Sequence, residues 1–509
     1  MRVRIDNRTG LLNDYYFQTL CLLYFPGEKF SEKDESPAWA EFLLEKREDG
    51  TFFCSAVLSD GNRTGKADLS SEGVVPAVPM DETGLAALTL GNAYLRAGEK
   101  LFGFSLPWGY LLGLRPVKRA KYYLDLGYAP ETVERMFRED YRTHPDKASL
   151  AVETAAVEQG MLRDAGDNDC GLYISIPFCP TRCAYCSFIS VAATERMKEI
   201  APVYLERLKE EIAAVCGLIR DTGMRLTSVY IGGGTPTSLT DRQTEDLLRA
   251  LDRVLPRNHL KEFTCEAGRP DTITKNKIRL LESVGVDRIS VNPQTTDDAV
   301  LRRIGRNHTS ADFFRAADLA MGANFRVRNA DLIAGLPGDT EDGFRKSLED
   351  VLSFGFENVT VHTLTVKKSS FIRFWEEGYY DPLGTAARSC VSYARTRLKE
   401  SGRPPYYLYR QKNIVGNAEN VGYALPGTEN LYNVLMMEEY ATVFACGAGA
   451  ITKLVTPDRK GILRIANPKY PFEYLNLETI RVPTPDEVTA FRSGRVANGG
   501  DGEKENDLP

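Results

Sequence analysis

Apolar and polar positions follow different rules in different parts of the chain. Between residues 172 and 362, short β-branched and apolar runs alternate with longer stretches of helical period. Strands are predicted at 172–176, 226–231, 262–266, 288–291, 328–333 and 358–362. Helices are predicted near 192–220, 240–254, 272–284, 296–321 and 339–354. Six strands separated by helices imply a parallel sheet, because parallel neighbours need crossover connections. Ligands of such sheets gather at the carboxyl ends of the strands.

The flanking regions read differently. Residues 1–80 mix short apolar runs (16–25, 52–58) with Gly and Asp turns, which predicts a small α+β module. A helical region is predicted over 81–165, with one helix at 81–100, one starting with Pro130 at its first position, and one at 146–161. The acidic stretch 164–169 marks a boundary, and the strand–helix alternation stops near 380. A separate C-terminal domain is expected over 381–485, and the polar, Gly-rich residues 486–509 predict a disordered tail.

Bulk properties narrow the class. The 509 residues are 43% hydrophobic and 26% charged, as in a globular protein of several domains. A net charge of −6 gives no global basic character, so nucleic acid is not expected as a partner. No apolar run reaches membrane-spanning length, and MRVRIDNRTG carries no signal-peptide core. Ten cysteines without such a signal fit a reducing cytoplasm, and a monomer is expected. Arg115, Lys118, Arg119 and Lys121 lie among Trp108, Tyr110, Tyr122 and Tyr123. They read as a solvated helix face over an aromatic underside rather than a nucleic-acid surface.

The chemistry centres on residues 171–188, GLYISIPFCPTRCAYCSF. Pro177 ends a strand, and Cys179, Cys183 and Cys186 follow with three and then two residues between neighbours. Thiolates suit zinc or an iron–sulfur cluster. Structural zinc asks for four protein ligands, yet the nearest histidines are His144 and His259 and no second cysteine pair exists. Three thiolates without a fourth suggest a [4Fe–4S] cluster with one iron open to an exogenous ligand. Three buried core cysteines are the bland alternative, but Pro180, Thr181 and Arg182 between them are not core-like. The other seven cysteines are scattered and read as packing residues.

This Cys-x3-Cys-x2-Cys loop after a strand resembles the radical S-adenosylmethionine (SAM) superfamily. The letters from Tyr173 to Phe178 and Tyr185 to Phe188 resemble its oxygen-independent coproporphyrinogen III oxidase branch. The resemblance implies a six-stranded (βα)6 partial TIM barrel over 166–380, an N-terminal extension, and a C-terminal domain covering the barrel mouth. It also implies a [4Fe–4S] cluster on the three cysteines and one or two molecules of SAM, cleaved to a hydrogen-abstracting 5′-deoxyadenosyl radical.

SAM contacts are implied at Tyr173, Tyr185 and Phe188, and at Gly233, Gly234 and Thr235 of the GGGTP turn (232–236). They are implied also at Glu266, at Gln294, at Arg306 in RRIGRNH (302–308), and at Asp331 in the stretch DLIAGLP. Gly234, Thr235, Gln294, Arg306 and Asp331 match residues around a second SAM. Asn292-Pro293 replaces the usual Gly-Val before the glutamine, which makes the local backbone shape an open point. His308 reads as a helix-end cap or core histidine rather than a proton donor.

Residues 409–432, the GAGA turn (447–450), and the WG-x-L-x-G-x-RP-like stretch 108–116 resemble the HemZ-type subgroup. Coproporphyrinogen oxidases often carry a fourth cysteine where Phe188 stands here. Heme chaperones and heme-acting radical SAM methyltransferases share such loops. The implied activity is oxidative decarboxylation of coproporphyrinogen III to protoporphyrinogen IX in heme biosynthesis. An electron donor such as flavodoxin or ferredoxin, and a tetrapyrrole substrate, are the implied partners. Lys367, Lys368, Arg373, Arg410 and Lys412 are candidates to meet its propionates, with solvated surface charge as the safer reading.

Overall fold

The alternation of apolar runs and amphipathic stretches builds a parallel β/α core. A computed structural model describes residues 1–30, 36–112, 115–188, 191–192, 195–367, 370–374, 384–476 and 481–495. These fall into two units. One comprises 1–159 with 408–419, the other 160–407 with the described residues from Asn420 onward.

In the N-terminal unit, strands Arg2–Asn7, Trp39–Lys46, Phe52–Ser59 and Thr64–Ser70 lie side by side in that order. The first pair is parallel, and the helix Asp14–Cys21 supplies the crossover that such pairing needs. A 21-residue helix, Glu82–Phe102, starts on the Asp81 side-chain cap and stops at Gly103, whose φ is 79°. It buries Ala86, Leu90, Tyr94 and Leu101. Gly65 of the fourth strand leaves room for the backbone at Ala97 and for Leu101. This helix and the sheet therefore share one core.

The segment 408–419 completes this unit. Trp108 Nε1 donates to Glu419 at 2.9 Å, and the buried Lys147 forms an ion pair with the same carboxylate. Arg410 donates to the Leu111 carbonyl at 2.9 Å and lies over the Trp108 ring, 5.5 Å from its centroid. Arg410 is thus a buried internal partner, neither a solvated charge nor a substrate contact. Lys412 lies over Tyr15 in the same unit.

In the second unit the six expected strands form: β1 Asp169–Ile176, β2 Arg225–Gly233, β3 Glu262–Glu266, β4 Arg288–Ser290, β5 Val327–Ala334 and β6 Asn358–Thr363. Each pairs in parallel with the next. The crossovers are α1 Glu195–Asp221, α2 Asp241–Val254, α3 Lys275–Ser283, α4 Asp298–Arg303, α5 Ser310–Met321 and α6 Glu341–Phe354. The single helix expected over 296–321 is two, broken at Gly305 (φ 75°) and restarted by a Thr309–Asp312 capping box.

Beyond α7 (Thr385–Glu400) the chain adds β7 Pro405–Tyr409, β8 Asn420–Ala424, β9 Thr442–Cys446, β10 Ile451–Val455 and β11 Ile462–Ala466. The sheet order is β7-β8-β6-β5-β4-β3-β2-β1-β9-β10-β11, so the C-terminal strands extend both edges of the parallel core. The helix α8, Leu431–Met437, lies at the amino ends of the strands. Glu262 at the start of β3 accepts from Leu431 and Tyr432 N–H at 2.8 and 3.0 Å, and Arg288 at the start of β4 donates to the Thr428 carbonyl at 2.7 Å. This piece of the C-terminal region closes the floor of the partial barrel, while the region's 447–450 turn packs at the carboxyl end of β1, where Ser175 Oγ donates to Ala448 O at 2.9 Å. A final helix, Pro485–Arg492, opens on a Thr484–Glu487 capping box, so the expected tail is ordered as far as these residues. Residues 496–509 lie outside the described ones.

Candidate metal centre and active site

At Ile176 the chain leaves β1 and turns through Pro177 into the cysteine loop. Phe178–Cys179 pairs with Val191–Ala192, and the Val191 N–H donates back to the Pro177 carbonyl at 2.8 Å. The GGGTP turn holds the other side. Gly234 N–H donates to Ile176 O at 2.8 Å, Thr235 N–H donates to Phe178 O at 2.7 Å, and Thr235 Oγ1 lies 3.5 Å from Cys179 Sγ. From below, Ala184 N–H reaches Ile304 O at 2.9 Å and Thr181 Oγ1 reaches Gly305 O at 2.9 Å. The break between α4 and α5 is therefore the seat of the loop.

Several observations fit this loop to an iron–sulfur cluster with a bound cofactor. A Cβ on Gly234 would come 2.9 Å from Cys179 Sγ and 2.7 Å from Phe178 O, so only glycine lets the turn approach the first thiol. Burial, then the neighbouring Cys183, pushes the Cys186 thiol up to about 11. It is protonated without metal, and ligation would release that proton. Among the described residues no three Cys, His, Asp or Glu side chains are placed to share one ion. A cubane asks for something else, one thiolate for each of three irons.

Two buried arginines brace the loop. Arg306 donates to Tyr185 Oη (3.1 Å), Gly268 O (2.8 Å), Asn292 O (2.9 Å) and, through Nε, His308 Nδ1 (3.3 Å). Burial, then the charges of Arg306 and Arg269, drives His308 down to about 2, so its ring is neutral and can accept. The arginine expected to contact SAM spends these donors on the protein. Arg269, which the pattern did not single out, lies against Thr181 and Cys183.

The remaining candidates face the barrel lumen. Glu266 ends β3, and burial followed by the Asp331 charge pushes its carboxyl up to about 8, against a hydrogen bond from Tyr230. Asp331 accepts from Asn329 Nδ2 at 2.8 Å and lies 3.6 Å from His362 Nε2. Gln294 has φ 67°. Its N–H donates to Asp331 O at 2.9 Å and its carbonyl accepts from Ile333 at 3.0 Å. The Asn-Pro replacement therefore still delivers the glutamine to β5. Its Oε1 is buried without a hydrogen-bond partner among the described residues, an acceptor left for a ligand. Tyr173, Tyr230 and Tyr432 stack on one another with centroids 4.7 to 6.1 Å apart.

Phe188 is 62% exposed. Lys367 is buried enough to lower its pKa, beside Cys186. Lys368 and the Arg373 side chain lie outside the described residues. Tyr230 was within reach of the pattern, being in register with Tyr173 on adjacent strands. Arg269 and His362 carried no local signal.

Comparison with known proteins identifies the family. A family model described as the radical SAM superfamily matches residues 173–351. The chain is 36% identical over 389 residues to the oxygen-independent coproporphyrinogen-III oxidase-like protein HemZ of Bacillus subtilis, spanning 76% of this chain and 77% of that one. The heme chaperone HemW of Bacillus subtilis is 36% identical over 211 residues, 40% of this chain and 53% of that one. A solved structure of the coproporphyrinogen III oxidase HemN from Escherichia coli aligns with TM-score 0.49 at 23% identity, over 63% of this chain and 71% of that one. The fold is that of a radical SAM protein, a superfamily that implies a [4Fe–4S] cluster and SAM. Within it the chain belongs to the HemZ-type subgroup of the oxygen-independent coproporphyrinogen III oxidase family.

Proposed function

We propose that this protein is a radical SAM oxidoreductase that decarboxylates two propionates of coproporphyrinogen III to vinyl groups, giving protoporphyrinogen IX. The observation that carries this reading is the joint presence of a thiolate loop, a glycine turn pressed on its first thiol, and an unpartnered buried Gln294 acceptor at one end of the sheet. Cys179, Cys183 and Cys186 would hold the cluster, and Gly233, Gly234, Thr235 and Glu266 would hold SAM. When bound, the cluster and SAM supply a hydrogen-abstracting radical. The chain's own tasks are orientation and exclusion of water. Glu266, protonated up to about pH 8, can meet a ligand as a neutral hydrogen-bond donor. Asp331, held by Asn329, offers a carboxylate to ribose hydroxyls or an ammonium group. An electron donor of the flavodoxin or ferredoxin kind would supply the electron that cleaves SAM, and an electron acceptor would take the one released with CO2 as each vinyl group forms.

Phe188 in place of a fourth cysteine, together with the likeness to a heme chaperone, favours a second reading in which the same fold binds and delivers heme. Anaerobic reconstitution with reductant, SAM and coproporphyrinogen III, followed by mass spectrometry, separates the two. Tripropionate and dipropionate products with 5′-deoxyadenosine are expected. Heme binding without SAM cleavage would replace the decarboxylase by the chaperone. Transfer of a methyl group to the tetrapyrrole would instead make it a methyltransferase. Equilibrium binding of SAM to the reconstituted protein counts one site or two. Cys183→Ala is expected to lose the cluster's visible absorbance and all SAM cleavage while far-UV circular dichroism is retained. SAM cleavage surviving in that variant would defeat the ligand assignment.

A further inference from the structure

Arg269 is 3% exposed, yet its guanidinium is not simply neutralised where it lies. One edge faces Asp271, with Nε 3.1 Å from Oδ1 and Nη2 3.3 Å from Oδ2. The other edge reaches into the cysteine loop, where Nη1 donates to Thr181 Oγ1 at 3.0 Å and lies 3.9 Å from Cys183 Sγ. A surface ion pair would be mobile and screened by solvent. Here the arginine itself is buried, held from two sides, and aimed at a sulfur. Once Cys183 is a metal-bound thiolate, it meets a fixed cation at contact distance in a medium that screens poorly.

We infer that Arg269 is a positioning residue that sets the reduction potential of the cluster held through Cys183, with Thr181 and Asp271 fixing its aim. The inference rests on the reading of the loop as a cluster site. Reduction adds one negative charge to the cluster, so a cation held at a ligand sulfur stabilises the reduced form more than the oxidised one. Net charge and hydrogen bonds to the sulfurs are among the levers that set such potentials. The Asp271 carboxylate acts in the opposite sense, from the far side of the same guanidinium.

The test is an electron-paramagnetic-resonance-monitored redox titration of the full chain reconstituted anaerobically, with iron and sulfide counted per chain. Arg269→Gln is expected to make reduction at least tenfold less favourable, a shift of about 59 mV to more negative potential for one electron. Asp271→Asn is expected to shift the potential the other way. A purely structural role would lower cluster content without moving the two potentials in opposite directions. If Arg269→Gln takes up no cluster, Asp271→Asn decides alone, because the Asp271 side chain is 24% exposed and its loss should be tolerated. A positive shift supports the inference. Unshifted potentials, or shifts of one sign in both variants, would overturn it. Wild-type protein that takes up no four-iron cluster would overturn the cluster reading itself, and this inference with it.

Discussion

Burial and the charge of Asp331 hold the Glu266 carboxyl at about 8, whereas its ordinary value is 4.5. Between those values the folded chain keeps a proton that the unfolded chain has lost. Stability must therefore fall as pH rises from 4.5 through 8, and then level off. The slope contributed by this group is at most ~1.4 kcal/mol per pH unit. His308 works in the opposite sense. It is held neutral down to about 2, so below 6.5 the unfolded chain binds the proton first and acid destabilises the fold. Urea unfolding of the metal-free protein at a series of pH values should show a loss of stability above pH 5 that Glu266→Gln abolishes. An unchanged slope in that variant would mean that Glu266 ionises in the fold at an ordinary pH.

At the scale of elements, the turn after β2 and the loop after β1 act as one piece. Gly234→Ala would drive a methyl group into Phe178 O and Cys179 Sγ, and the backbone carbonyl cannot yield as a flexible side chain would. The variant is expected to lose about 1–3 kcal/mol, in the range of overpacking, and most of its iron uptake. Calorimetry and iron analysis check the two effects. The parallel core was legible because strands buried on both faces read as near-continuous apolar runs, as at 172–176 and 226–231, interrupted only by Ser175, Thr227 and Ser228. The cysteines and the GGGTP turn were legible because their spacing is local. Periodicity names no partner, however. Nothing in residues 442–446 says that they pair with 170–174. The capping signal Thr484–Glu487 was present, but the Gly-rich composition beyond it outweighed it. Arg269 reaches Cys183 across 86 residues of chain, a contact that only the fold can create.

For the molecule as a whole, the N-terminal unit depends on a segment that arrives late in the chain. Glu419 is fully buried, accepts from Trp108 and neutralises Lys147. Breaking one partner of such a pair costs about 3–5 kcal/mol, because the other charge stays buried and unpaired. Glu419→Ala is expected to raise amide hydrogen exchange throughout residues 82–102 and 145–159, while strands β1 to β6 keep their protection. Equal exchange in variant and wild type would mean that the buried pair does not support this unit.

The return of the chain to its first unit at 408–419 also sets an order of events during synthesis. A ribosome releases the amino-terminal part first, but Glu419 leaves the exit tunnel only after all six parallel strands have been made. At 5–20 residues per second, that interval lasts on the order of tens of seconds. Trp108 and Lys147 spend it without their carboxylate. The unit begun first is therefore finished late, and during that wait a nascent-chain chaperone has the most to shield.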